Sequence, residues 1–558
     1  MGRHTSSRAV ARVVMLAGVT DSVPAPTDAS SETGTARDRS GSASDRPWRR
    51  VACVLLAVGL GVGIAYVPFG EPVPPAAARL LGVTLAMAVL WFTEALPLAV
   101  TSLVPLAAYP LLGILPSKET AAEYINTYTF LFFSGLVIAA VLERWNLHRR
   151  IALGVLRRAG TRPLGLCIGL MGTAALLSMW ISNTATTMLM LPIGLAVLAT
   201  LEEQIGRDDR LATALLLSIA YGANCGGMAT PIGTPTNVTL LKLWEESADL
   251  TSQPVPTMGS WIAMAGPFVL IMLAVLAGYF ALRLRGVKPA ELSGDFFDRR
   301  ARELGPMDGG SIAVAAIFVG TALLWMTRSP LTWGSVTISP GWQRPLEAGL
   351  NGLGFTIESG GVNDTVVGIV AVLLLFALPG KRRTAPPSQE ASDRLPAATE
   401  WTRLIDWESV ERRLPWGVLL LFGAGFAIAA GFTATGLDQW CGRVAGRTLA
   451  GTGTTVTTGG VVLLVTTLTE FTTNVGTLNT LLPVIRSLAQ QLAIDPPRLM
   501  LPATLAASCA FMLPIATPPN AIIFGSGRLT LARMASAGLV LNLAAIALLT
   551  LLSSWLFG

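Results

Sequence analysis

Residues 178–193 read SMWISNTATTMLMLPI and residues 469–484 read TEFTTNVGTLNTLLPV. In each, a polar, helix-breaking triplet interrupts an apolar stretch: Ser182-Asn183-Thr184 in the first, Thr473-Asn474-Val475 in the second. Each is followed by a run of small residues closing on a proline and an asparagine, GGMATPIGTPTN at 226–237 and MLPIATPPN at 512–520. Lipid offers unpaired backbone groups no partner, so irregular backbone in an apolar stretch persists only where it lines a cavity or is buried in protein. Paired interruptions in two halves of one chain point to a central binding site of a transporter.

Composition agrees that water is not the main solvent. Of 558 residues, 52% are hydrophobic and 13% charged, against roughly 25% charged in average soluble domains. The net charge of +6 does not indicate nucleic acid, because the basic residues fall between apolar stretches and form no aromatic-interleaved patch. Orientation in a bilayer explains them. The five cysteines, at 53, 167, 225, 441 and 509, form no CxxC and sit mostly in apolar segments, as packing residues do.

Residues 1–46, rich in Ser, Arg, Asp, Thr and Pro, are expected to be a disordered cytoplasmic extension. Spans of about 20 residues are expected near 51–69, 78–94, 96–115 and 129–145, then a hairpin at 164–200 and a broken span at 211–244. Further spans follow near 260–283, 311–327, 365–379 and 415–433, then a second hairpin at 457–490, a span broken at 512–520, and a last helix at 533–557. The fold class is therefore an all-α polytopic membrane protein with about eleven transmembrane helices plus two re-entrant hairpins. The charge bias fits a cytoplasmic N-terminus: Arg144, Arg149, Arg150, Arg157, Arg158 and Arg162 follow the fourth span, whereas the loop expected outside carries Glu245, Glu246 and Asp249 and no Arg. By the same count the hairpins enter from opposite sides, so the two halves are inverted repeats.

Helix N-termini ending in mid-membrane expose N–H groups that favour an anion, while C-terminal ends and unwound carbonyls favour a cation. Asn and Thr add neutral donors and acceptors. No Lys or Arg lies in either motif, so the charge of a dianion would be met by dipoles and co-bound cations. Coupling to a cation follows from that absence.

SMWISNTATT, TEFTTN, AASCAFMLPIATPPNAIIFGSG, WFTEALPLAVTSL and IDWESVERRLPWGVLLLFGAGFAIAAG resemble the divalent anion:sodium symporter family, from about residue 51 to the C-terminus. The resemblance implies sodium-coupled symport of a divalent anion: a C4-dicarboxylate such as succinate first, sulfate or citrate next, with dicarboxylate exchange also open. It implies a homodimer in the inner cell membrane, in which scaffold helices hold a transport domain that moves as an elevator. Scaffold helices would then occupy 47–160 and 311–435, the latter with an outside loop at 328–363 and a cytoplasmic loop at 381–414. The transport domain would occupy 161–285 and 436–558, with a cytoplasmic linker at 286–310.

Carried over by position, the resemblance assigns substrate contact to Ser182, Asn183, Thr184, Thr234, Pro235, Thr473, Asn474, Thr517 and Pro518. It assigns one sodium site to Ser178, Asn183, Gly226 and Gly227, and a second to Thr469, Asn474 and the carbonyl of Ala516. Val475 departs from the Ser-Asn-Thr pattern and supplies no hydroxyl, which bears on substrate preference.

A lone Asn or Thr in a membrane helix is ordinarily helix-to-helix glue; recurrence in inverted halves is what raises these above that reading. Glu94 and Glu470 each adjoin a helix break and are expected to cap its free N–H groups, with proton coupling the lesser alternative. His4 and His148 lie apart from both motifs, and no HExxH or Ser-His arrangement is present, so an enzyme is not expected. An anion channel would also need polar breaks, and differs in lacking coupled accumulation.

Overall fold

The computed structural model describes residues 47–67, 73–251, 253–333, 336–384, 398–449 and 451–556; the expected extension at 1–46 lies outside them. The protein is a multi-pass helical membrane protein. Among the described residues, seven segments are long and apolar enough to cross a bilayer, including Pro75–Thr93, Met258–Arg283, Gly309–Thr327 and Trp416–Thr435.

In chain order the first half runs α1 (Pro47–Ala65), α2 (Pro75–Thr93), α3 (Leu98–Thr101), α4 (Val104–Leu111), α5 (Ser117–Tyr124), α6 (Thr127–Arg144), α7 (Leu147–Leu156), α8 (Pro163–Ser178), α9 (Asn183–Ile205), α10 (Asp209–Gly227), α11 (Pro235–Glu245) and α12 (Met258–Arg283). The second runs α13 (Phe296–Glu303), α14 (Gly309–Thr327), β1 (Leu331–Trp333), β2 (Val336–Ser339), α15 (Gln343–Gly352), α16 (Asp364–Ala377), β3 (Pro379–Thr384), β4 (Ala398–Arg403), α17 (Trp407–Arg413), α18 (Trp416–Thr435), α19 (Leu437–Leu449), α20 (Thr454–Thr469), α21 (Asn474–Gln491), α22 (Pro496–Ser508), α23 (Pro518–Gly525) and α24 (Leu531–Leu556).

Proline opens α2, α8, α11, α22 and α23, where its missing N–H costs nothing because the first turn has no acceptor for it. Side chains cap several of the other starts. Asn126 accepts from Tyr128 and Thr129 N–H at 3.0 and 3.1 Å, and Thr257 and Ser260 form a reciprocal capping box.

The entering arms of the two hairpins, α8 and α20, are 16 residues each. At about 1.5 Å per residue they fall short of a hydrocarbon core of roughly 30 Å. Each turns at its polar triplet and returns as α9 or α21. The broken spans are the pairs α10/α11 and α22/α23, each interrupted by an unwound segment. The halves interlock crosswise: α9 packs on α23, α21 on α11, and the short helix after each break also packs on the first helix of the other half's broken span.

Several stretches expected as loops are ordered. Leu147–Leu156 and Leu437–Leu449 are amphipathic helices directly before the hairpins, and a short helix occupies Phe296–Glu303 in the linker. The loop 328–363 holds a β-hairpin and α15, while 381–414 contains α17 and most of the antiparallel ribbon β3/β4. The span expected at 96–115 is split into α3 and α4, consistent with Pro97, Pro105 and Pro110 in its sequence. Glu94 is corrected: it is exposed at the left-handed C-cap of α2, φ 48°, where the free backbone groups are carbonyls that a carboxylate cannot cap.

Candidate functional site

Both tips are built alike. Ser182 is the N-cap of α9 and accepts from Ala185 N–H at 3.3 Å; Thr473 is the N-cap of α21 and accepts from Gly476 N–H at 3.1 Å. Across the first tip the Ser178 hydroxyl donates to Asn183 Oδ1, and across the second the Thr469 hydroxyl donates to Asn474 Oδ1 at 2.8 Å. Each pair spans five residues, so the last residue of the entering helix is tied to the first of the returning one.

The breaks match as closely. Asn237 Nδ2 donates to Gly227 O at 3.1 Å and Thr230 O at 2.7 Å, ten and seven residues back. Asn520 Nδ2 donates to Ala510 O at 3.0 Å and Leu513 O at 3.1 Å, again ten and seven residues back. The N-caps of the following helices share one conformation, with φ −143° and ψ 144° at Thr234 and φ −142° and ψ 147° at Thr517.

Tips meet breaks through small residues. A Cβ at Gly227 would strike the Asn183 amide, and one at Gly226 would strike the backbone of Ala175. A Cβ at Gly233 would lie 2.5 Å from Gly227 O and 3.0 Å from Ser178 O. Ser178, Asn183, Gly227 and the first break therefore converge, with Gly226 seating α10 against Ala175 of α8. In the second half the Thr469 hydroxyl also reaches Ala507 O at 2.9 Å, and Ala516 is buried beside Thr517.

Ser182, Asn183, Thr184, Thr473, Asn474 and Pro235 are half-buried and Pro518 is exposed, while Thr234 and Thr517 are buried. Val475 turns away into a cluster with Trp91 of α2, so the residue that breaks the repeat pattern packs against a neighbouring helix. Glu470 caps a break, but not the tip it adjoins: its carboxylate reaches the second unwound segment and accepts from the N–H groups of Phe511, Met512 and Leu513 at 2.8, 2.9 and 3.0 Å, and from Asn542 Nδ2 at 2.6 Å.

The halves are joined at the centre. Asn224 Nδ2 donates to Thr517 Oγ1 at 3.3 Å, Thr236 and Ser508 hydroxyls lie 3.1 Å apart, and Tyr221 donates to Phe511 O at 2.7 Å. The side-chain oxygens of Asn224, Asn237 and Asn520 are buried without a protein partner. Sequence reading left the roles of these three residues unassigned; the asparagine closing each TPxN run was the available signal. Among the described residues no cluster of three His, Cys, Asp or Glu occurs. With the Glu470 carboxylate taken up by backbone N–H groups and Asn542, the oxygens left on offer at the tips and breaks are amide, hydroxyl and carbonyl, a donor set suited to a hard cation.

Residues 46–557 match the family model described as the sodium:sulfate symporter transmembrane region. The chain belongs to the divalent anion:sodium symporter family. It is similar to the human Na(+)/dicarboxylate cotransporter 3, with 34% identity over 90% of this chain and 91% of that one. The sodium-dependent dicarboxylate transporter SdcS of Staphylococcus saprophyticus is 34% identical over 84% of each chain. The Na(+)/citrate cotransporter of Rattus norvegicus is 34% identical over 85% of this chain and 90% of its own length. Members of this symporter family are transporters and not enzymes, and sodium is the co-transported ion.

Proposed function

We propose that this symporter couples inward sodium movement to uptake of a C4-dicarboxylate such as succinate. Sodium-coupled di- or tricarboxylate transport is supported by the family and by the names of its relatives. The finer reading rests on one observation: two asparagine-centred tips, each closed by the same hydroxyl-to-amide bond, in a chain whose tips and breaks carry no Lys or Arg. In this reading Ser182, Asn183, Thr184, Thr473 and Asn474, with the N-caps Thr234 and Thr517 and the adjoining Pro235 and Pro518, hold the carboxylates through neutral donors and helix-end dipoles. Sodium ions near Ser178, Asn183, Gly226 and Gly227, and near Thr469, Asn474 and Ala516, offset the remaining charge.

The two-body arrangement belongs to the same proposal. Helices of 47–160 and 311–435 form the scaffold and those of 161–285 and 436–558 the moving body, in a homodimer of the inner membrane with a cytoplasmic N-terminus. Citrate is the second reading, favoured by the similarity to the rat citrate cotransporter. Proteoliposomes given an inward sodium gradient should accumulate labelled succinate above its external concentration. Equilibration without accumulation would show a passive pathway, and accumulation of citrate in place of succinate would select the second reading.

A further inference from the structure

In inverted repeats, exchanging the conformations of the halves generates the opposite-facing state, so one structure contains both alternatives of a contact, one in each half. The register is fixed by the bonds already described. The displacement that carries Ser178 onto Thr469 and Asn183 onto Asn474 also carries Met188 onto Asn479 and Trp180 onto Phe471; the one that carries Asn237 onto Asn520 also carries Ile232 onto Ile515. On the scaffold side, α6 and α18 correspond. Each is followed by an amphipathic helix and then a hairpin, and each has a glycine near its midpoint, Gly135 and Gly425.

The two glycines have different occupants. On α6, Ile232 of the first break covers Gly135, where a Cβ would lie 3.2 Å from Ile232 Cδ1. Ile232 is 7% exposed, while Met188, on the returning helix of the hairpin, is 58% exposed. On α18 the pattern is reversed. Asn479 of the returning helix covers Gly425 so closely that a Cβ there would overlap its amide. Asn479 is 1% exposed, while Ile515 of the second break is 60% exposed. The hairpin aromatics follow suit: Trp180 packs edge-on against Phe318 of α14, ring centroids 5.3 Å apart, and Phe471 is 52% exposed.

The seat at Gly425 is imperfect. Asn479 Oδ1 accepts from Thr239 at 3.1 Å, but its Nδ2 is buried without a partner. A small hollow lined by Thr239, Lys242, Phe426, Ala429, Asn479 and Leu482 lies alongside. Leaving the seat would let water satisfy that amide, and apolar Ile515 would cover the glycine without leaving a donor unpaired.

We infer that Gly135 and Gly425 are equivalent notches, each with two alternative occupants that exchange during transport. Ile232 leaves Gly135 and Met188 takes its place, as Asn479 leaves Gly425 and Ile515 takes its place. This rests on the two-body reading above and adds to it the residues that define the second position. It also gives Gly425 a role in setting the balance between states, since any side chain there evicts Asn479.

The test uses full-length protein in proteoliposomes, with the five native cysteines replaced. One cysteine pair is Gly135→Cys with Ile232→Cys, the other Gly425→Cys with Ile515→Cys. Both are oxidised in sodium-free buffer, in sodium, and in sodium with succinate. Both pairs should cross-link, with yields that move in opposite directions between conditions. Cross-linking of the first pair alone under every condition overturns the exchange. Because a cysteine at Gly425 crowds Asn479, Ile515→Cys alone provides a second readout at an exposed position. Its alkylation by N-ethylmaleimide should slow severalfold in whichever condition suppresses the first cross-link, and an unchanged rate overturns the exchange as well. Conversely, if the yields respond to sodium while succinate is neither bound nor taken up, the notches stand and the substrate assignment falls.

Discussion

The Thr469 hydroxyl donates to Asn474 Oδ1 at 2.8 Å, closing the second hairpin tip with the bond that Ser178 and Asn183 make across the first. Each asparagine therefore holds its own turn together while standing at the half-buried start of the returning helix.

Asn183→Ala and Asn474→Ala should each raise the half-saturating sodium or succinate concentration by roughly ten- to a hundredfold. That follows from losing an interaction to a charged ligand worth about 1.5–3 kcal/mol at about 1.4 kcal/mol per tenfold. Labelled uptake in proteoliposomes, with folding checked by thermal melting, measures it. Wild-type sodium dependence in a folded variant would remove the residue from the site.

Glu470→Ala should lower the melting temperature strongly, because three backbone N–H groups and Asn542 lose their acceptor at once. Each buried unsatisfied donor costs about 1–3 kcal/mol. Glu470→Gln keeps the shape and one acceptor oxygen and should fall between wild type and alanine. Equal melting of the alanine and glutamine variants would show that the carboxamide recovers none of the cap.

Glycine positions give a paired test of packing. Gly226→Ala places a methyl against the Ala175 backbone, which cannot swing aside as a side chain can, and overpacking of this kind costs about 1–3 kcal/mol. At Gly172, on the same hairpin's α8, a methyl would meet nothing within 4 Å, so Gly172→Ala should be neutral or stabilising by up to about 1 kcal/mol. Melting curves showing both substitutions alike would refute the close approach of α8 and α10.

Asp406 supplies the pH dependence. The Ser409 hydroxyl and N–H, with Arg144 beside them, hold its carboxyl down to about 2. A depressed pKa means that its contribution is fully present above the ordinary carboxylate value, 3.8, and is lost as pH falls through about 2. The melting difference between wild type and Asp406→Asn should therefore stay constant from neutral pH down to about 5 and shrink only below about 4. A difference that vanished near neutrality would mean that the carboxylate is not held by these partners.

The membrane fold, the two hairpin tips and the two broken spans were legible because their signals are local. A polar triplet in an apolar run, or a TPxN closing a run of small residues, needs no tertiary context to stand out. The helices at 147–156 and 437–449 were hidden because their arginines, Arg149 and Arg150 in one and Arg443 and Arg447 in the other, read as loop charge, while their apolar faces are narrow. The turning away of Val475 depended on Trp91, about two-thirds of the chain distant, and no pattern within the motif could reveal it. Glu94 misleads because a helix end and a helix start look alike in sequence when prolines and small residues follow.

Asn237 and Asn520, by gripping carbonyls seven and ten residues back in each break, turn what would be slack chain into a braced arch. An arch of that kind can neither narrow nor widen without giving up its own hydrogen bonds. The span of each break is thus fixed by one carboxamide apiece, and loosening either asparagine would free the whole segment it braces.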